Sequence, residues 1–406
     1  MAAINRADRQ ADSAVVWIAF ATFIGLGLAS GLRGVAWPSM RDEFGLPADG
    51  LGVLIFAQTL GYILSSFFSG RVATWLGNGK TYLFANGVMG LGLLVSFAAP
   101  SWAVFIVSGF VIGASSGLVD AGLNNYLAAY YGPRQMNWLH ACFGIGWTIG
   151  PLMMTTIINA SLSWRVGFGI SGVLILLLTV LYLATLRHWR NGAVQTTTSE
   201  HVLDASLTHT LRQPLLWLSV ALFMVYAGME VGAGDWSYTL FTDGRGILPE
   251  TAGLWVTVYS GSFTVGRLLF GAISGRFSVT KILRLCMGGS VLGALLWWLN
   301  ITDFVGFIGL ALLGFSQAPL FPLLILGTAE RLGKEHAANA IGFQVSAAGV
   351  GIAILPALLG VLVARLGYGV ITPFILVLAV LVFVLHEVTL VTSVSRRRAA
   401  PTVGAD

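Results

Sequence analysis

The sequence predicts an all-α membrane protein with twelve transmembrane helices in two pseudo-symmetric six-helix bundles. Composition is the first reason. Of 406 residues, 56% are hydrophobic and 10% charged, and the mean hydropathy is +0.83. A soluble protein of this size cannot solvate itself with so few charges. Run length is the second: twelve apolar stretches of about 20 residues or more can each cross ~30 Å of hydrocarbon as helix. Internal repetition is the third. Gly70 and Lys80 frame the loop after the second stretch, and Gly271 and Lys281 frame the loop after the eighth. Gly144, Gly146 and Pro151 in the fifth answer to Gly349, Gly351 and Pro356 in the eleventh, with identical spacings and an offset of about half the chain. A duplicated six-helix unit places a central site between two bundles that rock about it.

Each element follows from local chemistry. Residues 1–13 are polar, and the apolar run 14–38 is too long for a cleaved signal peptide, so the first helix is retained. The second and third, 50–70 and 80–99, flank the Gly70–Lys80 loop. The fourth, 102–129, carries Gly113 and Gly117, a small-xxx-small face for close helix approach. The fifth, 138–160, contains GIGWTIGP over 144–151; no strand precedes it, so it is a packing and bending element, not a phosphate cradle. The sixth, 165–187, completes an N-terminal bundle of residues 1–187. The polar, Thr- and Ser-rich stretch 188–213 is the cytoplasmic linker, part of it expected as a short helix on the membrane face. The second bundle, 214–406, holds spans 214–241, 250–272, 280–300, 303–327, 337–363 and 368–392 and a basic cytoplasmic tail, in which Arg396, Arg397 and Arg398 read as a stop-transfer anchor. Every other connection is short, which makes successive helices antiparallel neighbours.

The net charge of +5 reports orientation, not nucleic-acid binding. With the N-terminus inside, the inner loops and tails hold sixteen Lys and Arg, against Arg41, Arg165, Arg245 and Arg365 outside. The positive-inside rule then puts both termini in the cytoplasm of a multi-pass protein in the plasma (bacterial inner) membrane. Cys142 and Cys286 fall in or beside apolar segments as small packing residues. No Cys/His cluster has ligand spacing, so neither a metal nor another cofactor is expected. No nucleophile–base pair points to an enzyme.

Ionisable groups inside a bilayer are costly and so face a cavity or a partner. Asp120 lies in the fourth helix within GLVDAGLNNY, with Asn124 one turn on and Asn125 beside it. A carboxylate in a low-dielectric cavity can load and release a proton; the plainer alternative is a permanently paired residue. Glu230, in the seventh helix within YAGMEVGAGDW, is the second coupling candidate, with Tyr226 one turn before it and Trp236 about two turns after. Asp235, close to the outer face, reads as solvated. Arg267, near the cytoplasmic end of the eighth helix, reads as a tie between helix ends in one conformation. Three readings stay open for Arg33: counter-charge to a substrate anion, partner of a carboxylate, or a residue snorkelling outward near Trp37 and Pro38. His140 opens the fifth helix in NWLHACFGIGWTIGP; its imidazole can donate to a hydroxyl or titrate near neutral pH, and a lone His in an apolar helix is equally a packing residue. The repeat sets Val345 opposite His140 and Phe321 opposite Asp120, so the polar cluster belongs to the first half alone. Trp147 and Trp236 are the tryptophans expected at a cavity, because each shares a helix with a polar candidate. Aromatic faces beside amides and carboxylates suit a sugar.

These residues resemble the major facilitator superfamily over essentially the whole chain. The loop from Gly70 to Lys80 is similar to the family's signature after the second helix, which implies conformational gating by Gly70 and Lys80. Thr74 stands where an Asp is usual and Trp75 where an Arg is usual. The half-repeat Gly271–Lys281 keeps Arg276, a further gating residue beside Arg267, and has Gly275 at the acidic position. Three stretches resemble the fucose:proton symporter branch and its bacterial and fungal relatives: GLVDAGLNNY with NWLHACFGIGWTIGP, YAGMEVGAGDW, and GFSQAPLFPLLIL at 314–326. That resemblance implies a proton-coupling carboxylate near Asp120, amides near Asn124 for sugar hydroxyls, His140 where an amide is common, and a role for Gln317. The run Gly146 to Pro151 also resembles the start of the helix 5 signature of drug:proton antiporters, although Met153 and Met154 replace its following Gly-Gly.

The expected function is secondary active transport by alternating access. Proton-coupled symport of a small polar solute such as a sugar leads. Proton-coupled efflux of drugs, amphipathic or lipid-linked compounds is second. Sodium replaces the proton if Asp120, Asn124 and backbone carbonyls make a cage. Solute contacts are expected from Asn124, Asn125, His140, Trp147, Tyr226, Trp236, Gln317 and Arg33. The partners are the solute, the coupling ion and the bilayer, and a monomer suffices because both halves lie in one chain.

Overall fold

A computed structural model of the chain describes residues 6–131, 133–189, 207–273 and 276–399. Most of the 188–213 linker and Gly275 lie outside the described residues. Twelve long helices follow the expected order: α1 Arg6–Phe44, α2 Gly50–Leu76, α3 Asn78–Ala98, α4 Trp102–Tyr130, α5 Pro133–Asn159, α6 Arg165–Ala184, α7 Pro214–Thr239, α8 Pro249–Ile273, α9 Val279–Leu299, α10 Asp303–Gln317, α11 Lys334–Leu366 and α12 Ile371–Ala399. Among the described residues, eleven helical stretches are long and apolar enough to cross a membrane. The remaining long helix, α8, has 25 residues but is diluted by Thr, Ser, Gly and Arg267.

Three boundaries differ from expectation. α1 runs through Pro38 to Phe44 instead of ending at the proline, a defect that neighbouring helices can repair in a membrane. The loop expected between Gly70 and Lys80 is helix on both sides of one residue. α2 continues to Leu76, α3 starts at Asn78, and Gly77 makes the reversal at φ +84°, a left-handed value that favours glycine. The tenth span is broken: α10 ends at Gln317, and short helices Leu320–Leu326 and Thr328–Leu332 follow. Pro319 has no N–H to carry the ladder across the break.

The helices form two bundles with the same internal partners. α1 packs on α5, α2 on α4, and α3 on α4 and α6; six helices later α7 packs on α11, α8 on α10, and α9 on α10 and α12. Between bundles, α1 meets α7, α2 meets α11 and α5 meets α8. The repeat glycines permit both kinds of contact. A Cβ on Gly146 would fall 1.9 Å from the Ile24 carbonyl oxygen of α1, and one on Gly351 would fall 1.9 Å from the Met224 carbonyl oxygen of α7. Gly144 and Gly349 sit at the seam instead, against Thr264 of α8 and Ile63 of α2. One glycine of each repeat therefore serves packing within a bundle and the other packing between bundles.

Candidate functional site

The seam is closed at the end that carries the α1–α2 loop. Arg33 donates through Nε to Asp235 Oδ2 of α7 at 2.9 Å and through Nη1 to Gln58 Oε1 of α2 at 2.9 Å. About two turns further out, Arg41 donates to Asp243 at 2.8 Å and to the Tyr368 hydroxyl. Gly34 lets α1 approach α7 here: a Cβ on it would lie 3.0 Å from Asp235 Cα. Asp235, expected as solvated, is buried, and Arg33 pairs with a carboxylate. Deeper in, Trp147 of α5 packs edge-on against Tyr259 and Phe263 of α8, with centroids 5.8 and 5.3 Å apart. Beside it, Gly31, Pro151, Asp235 and Ser260 line a pocket of about 10 Å³, room for one water. The Thr148 and Thr264 hydroxyls meet at 3.1 Å. On the terminus side of that pair the bundles still approach at Gly144, whose Cβ would lie 2.8 Å from the Thr264 hydroxyl, and Asp120, Asn125 and His140 lie at least partly exposed there.

Asp120 faces this side from α4, half-buried. Asn124 one turn on reaches back with Nδ2 to both Oδ1 and the backbone oxygen of Asp120, each at 2.9 Å. Tyr62 of α2 donates its hydroxyl to Oδ2. Both carboxyl oxygens thus accept from neutral donors. His140 is exposed, its ring edge-on to Phe23 of α1 at 5.9 Å. Asn125 is exposed on the neighbouring face of α4.

The second bundle builds a different carboxylate site. Tyr226, one turn before Glu230 on α7, donates to Glu230 Oε2 and lies 3.2 Å from the Gln317 backbone oxygen. Tyr259 of α8 bonds the Glu230 carbonyl at 3.0 Å and Gln317 Oε1 at 2.9 Å. These tyrosines pin the end of α10 where it breaks. Arg267 of α8 lies within Coulombic range of Glu230 and of His140, its guanidinium 4.5 Å over the Phe263 ring. Arg267 Nε and Gln317 Nε2 are buried with no hydrogen-bond partner.

The remaining sequence candidates fall elsewhere. Trp236 is fully buried inside the second bundle, where its indole N–H donates to the Pro356 carbonyl at 3.2 Å, so it does not line the opening. Gly70, Lys80 and Arg276 are exposed near the terminus end, and a Cβ on Gly70 would meet nothing within 4 Å. Gln58, Tyr62, Tyr259 and the pairing of Asp235 escaped the sequence reading. Uncharged polar residues are common in membrane helices, so the first three carry little signal. Asp235 did carry one, since it stands at nearly the same repeat position as Arg33.

Comparison with known proteins completes the picture. The Major Facilitator Superfamily profile matches residues 18–247 and again 236–404. The glucose/mannose transporter GlcP of Bacillus subtilis (strain 168) is 21% identical over 351 residues, 84% of this chain and 86% of that protein. An uncharacterized MFS-type transporter of Yersinia pestis is 24% identical over 305 residues, 73% of this chain and 76% of its own. Among solved structures, the nucleoside transporter NupG superposes with a TM-score of 0.75 at 12% identity, covering 92% of this chain and 98% of NupG. The E. coli fucose:proton symporter FucP gives 0.60 at 16% identity, with coverages of 92% and 98%. At such identities these structures share the fold, and FucP stands as a fold neighbour. Two profile matches that together span both halves, on bundles related helix by helix, lead to one conclusion: the chain belongs to the Major Facilitator Superfamily, as a multi-pass secondary transporter working by alternating access.

Proposed function

We propose that this transporter is a proton-coupled symporter of a small neutral polar solute, most simply a sugar, acting as a monomer in the plasma membrane with both termini cytoplasmic. In that orientation the Arg33–Asp235 and Arg41–Asp243 bonds close the outer end, which supports reading this as the inward-facing form. The observation that carries the proton assignment is the contrast between the two membrane carboxylates. Glu230 lies within Coulombic range of the Arg267 guanidinium, whereas Asp120 has only the neutral donors Tyr62 and Asn124. Protonating Glu230 would strand a guanidinium; protonating Asp120 strands no charge. Asp120 therefore loads the proton from outside and releases it into the inward cleft, while Glu230 stays charged in the field of Arg267.

The sugar assignment rests on the mixture of amide, hydroxyl and aromatic groups at Asn124, Tyr62 and Trp147, with Tyr226 and Gln317 buried behind them in the second bundle, and on the likeness to a glucose/mannose transporter. Binding of monosaccharides, disaccharides and lipophilic cations to purified protein at low and high pH tests it. Sugar binding that tightens at low pH and loses its pH dependence in Asp120→Asn supports symport. The same variant should abolish uphill uptake and spare exchange; a sodium requirement in place of a pH dependence would reassign the ion.

One observation favours efflux. An apolar groove of about 230 Å³ lies between α2 and α11, lined by Gly52, Val53, Phe56, Ala357 and Val361 beside Asp49. Binding of lipophilic cations alone, weakened at low pH, would select that reading.

A further inference from the structure

α2 carries two polar side chains one turn apart, and they reach different parts of the seam. Gln58 accepts from Arg33, which closes on Asp235. Tyr62 donates to Asp120. The next residue, Ile63, touches the other bundle at Gly349. The backbones around Tyr62 are locked to α4: a Cβ on Gly113 would fall 1.9 Å from the Gln58 carbonyl oxygen, and one on Gly117 2.3 Å from the Tyr62 carbonyl oxygen. What can change between α2 and α4 is the side-chain bond.

We propose that Tyr62 is a positioning residue for proton exchange: its hydroxyl holds Asp120 as the proton-free carboxylate while the cleft is open at the terminus end, and it yields when Asp120 takes up a proton. This rests on the reading of Asp120 as the coupling carboxylate. A carboxylate accepts at both oxygens, here from Tyr62 and Asn124; a carboxylic acid carries a proton on one of them. Protonation at Oδ2 sets an O–H donor where the Tyr62 hydroxyl donates, so that hydroxyl must turn its own hydrogen away from Oδ2. On release, the carboxyl proton passes to water in the cleft and the hydroxyl returns to Oδ2. The freed Tyr62 O–H belongs to the residue one turn from Gln58, whose Oε1 Arg33 now uses, and positions four apart on a helix are neighbours. Loading the proton thus weakens the closure that Arg33 makes with Asp235.

Apart from burial, only Tyr62 and Asn124 act on Asp120. Arg33 of α1 is held by Gln58 and Asp235, Tyr82 of α3 donates to the Gly122 carbonyl at 2.7 Å, and His140 of α5 rests on Phe23. None of them is a counter-ion to Asp120.

Infrared difference spectroscopy of the full chain in lipid nanodiscs reads the protonated-carboxyl band as pH is varied, with the Asp120 band identified by its loss in Asp120→Asn. Tyr62→Phe keeps the ring and removes the hydroxyl. Its Asp120 band should appear at a pH about one unit higher or more, the effect of one lost hydrogen bond to a charged group. Spin labels at the outer ends of α1 and α7 should separate with the same midpoint. A Tyr62→Phe midpoint equal to that of the unmutated protein, with the band present, overturns the proposal. Absence of any Asp120-dependent band between about pH 4 and pH 9 instead removes the proton assignment itself, and this proposal with it.

Discussion

Arg33 and Asp235 meet at 2.9 Å and stand 202 residues apart, and Arg41 and Asp243, two turns further out, are also 202 residues apart. That separation is within one residue of the one between Gly70 and Gly271. Each arginine is therefore bonded close to its own counterpart in the other half, much as residues near the axis of a two-fold dimer meet their copies. A true dimer would set like charge against like there. The two halves of this chain must differ at those positions for the closure to attract.

Arg33→Ala should open that end. It leaves Asp235 buried beside Gln58 without a cation, which costs the closed form about 3–5 kcal/mol. Arg41→Ala should cost under about 1 kcal/mol, because its pair lies at the surface. Distances between spin labels on the outer ends of α1 and α7 read both effects. Because the positions are near-equivalent, exchanging the charges (Arg33→Asp with Asp235→Arg) should restore closure, with Gln58 donating its amide N–H instead of accepting. An exchanged pair as open as either single variant would show that the charges are not what holds the end shut.

Glu230 and Arg267 should behave as a unit. Arg267→Gln leaves the Glu230 carboxylate without the cation in its Coulombic range, and Glu230→Gln leaves the guanidinium without that anion. Each should lower stability by about 1–3 kcal/mol, below the range for fully buried pairs because both side chains are half-buried. The double variant should recover part of that loss. Asp120→Asn, which strands no charge, should stay within about 1 kcal/mol of the parent. Thermal unfolding in one detergent across the four variants completes the cycle; strictly additive losses for Glu230 and Arg267 would deny the pairing.

The spans and the duplication were legible because they rest on run length and on glycine spacing. Asp120 with Asn124, and Glu230 with Tyr226, were legible because a four-residue step on one helix is local geometry. Tyr62 with Asp120, Gln58 with Arg33, and Tyr259 with Gln317 join different helices. Their meeting depends on rotations set by backbone contacts such as Gly113 on Gln58, which no single helix reveals. Asp235 was misplaced for a related reason. The seventh span continues beyond α7 through a wide turn to Gly244, so Asp235 lies two turns inside the end and not at it.

Trp147 and Trp236 should separate function from stability. Trp236→Phe removes an indole bonded to the Pro356 carbonyl inside the second bundle and leaves that buried oxygen without its donor. It should lower the unfolding temperature at a cost of about 1–3 kcal/mol. Trp147→Phe loses only part of an edge-on contact with Tyr259 and Phe263 between the bundles. Its unfolding should be near that of the parent, while the rate of solute exchange changes. Equal loss of stability in both would place Trp147 among structural residues.

The glycines give a prediction in which one substitution has opposite signs at different places. Gly146→Ala and Gly351→Ala each drive a methyl to 1.9 Å from a carbonyl oxygen of a neighbouring helix. Backbone cannot rotate away as a side-chain end can, so α5 must leave α1, or α11 leave α7. Overpacking of this kind costs about 1–3 kcal/mol or more, and the two variants should match because the two contacts are repeats of each other. Gly70→Ala places its methyl in open space within α2. There it removes only the backbone freedom of glycine in the unfolded chain, and should stabilise by about 0.5–1 kcal/mol. Unfolding temperatures of the three variants decide the matter. A Gly146→Ala protein as stable as Gly70→Ala would mean that α1 and α5 do not approach as closely as the structure has them.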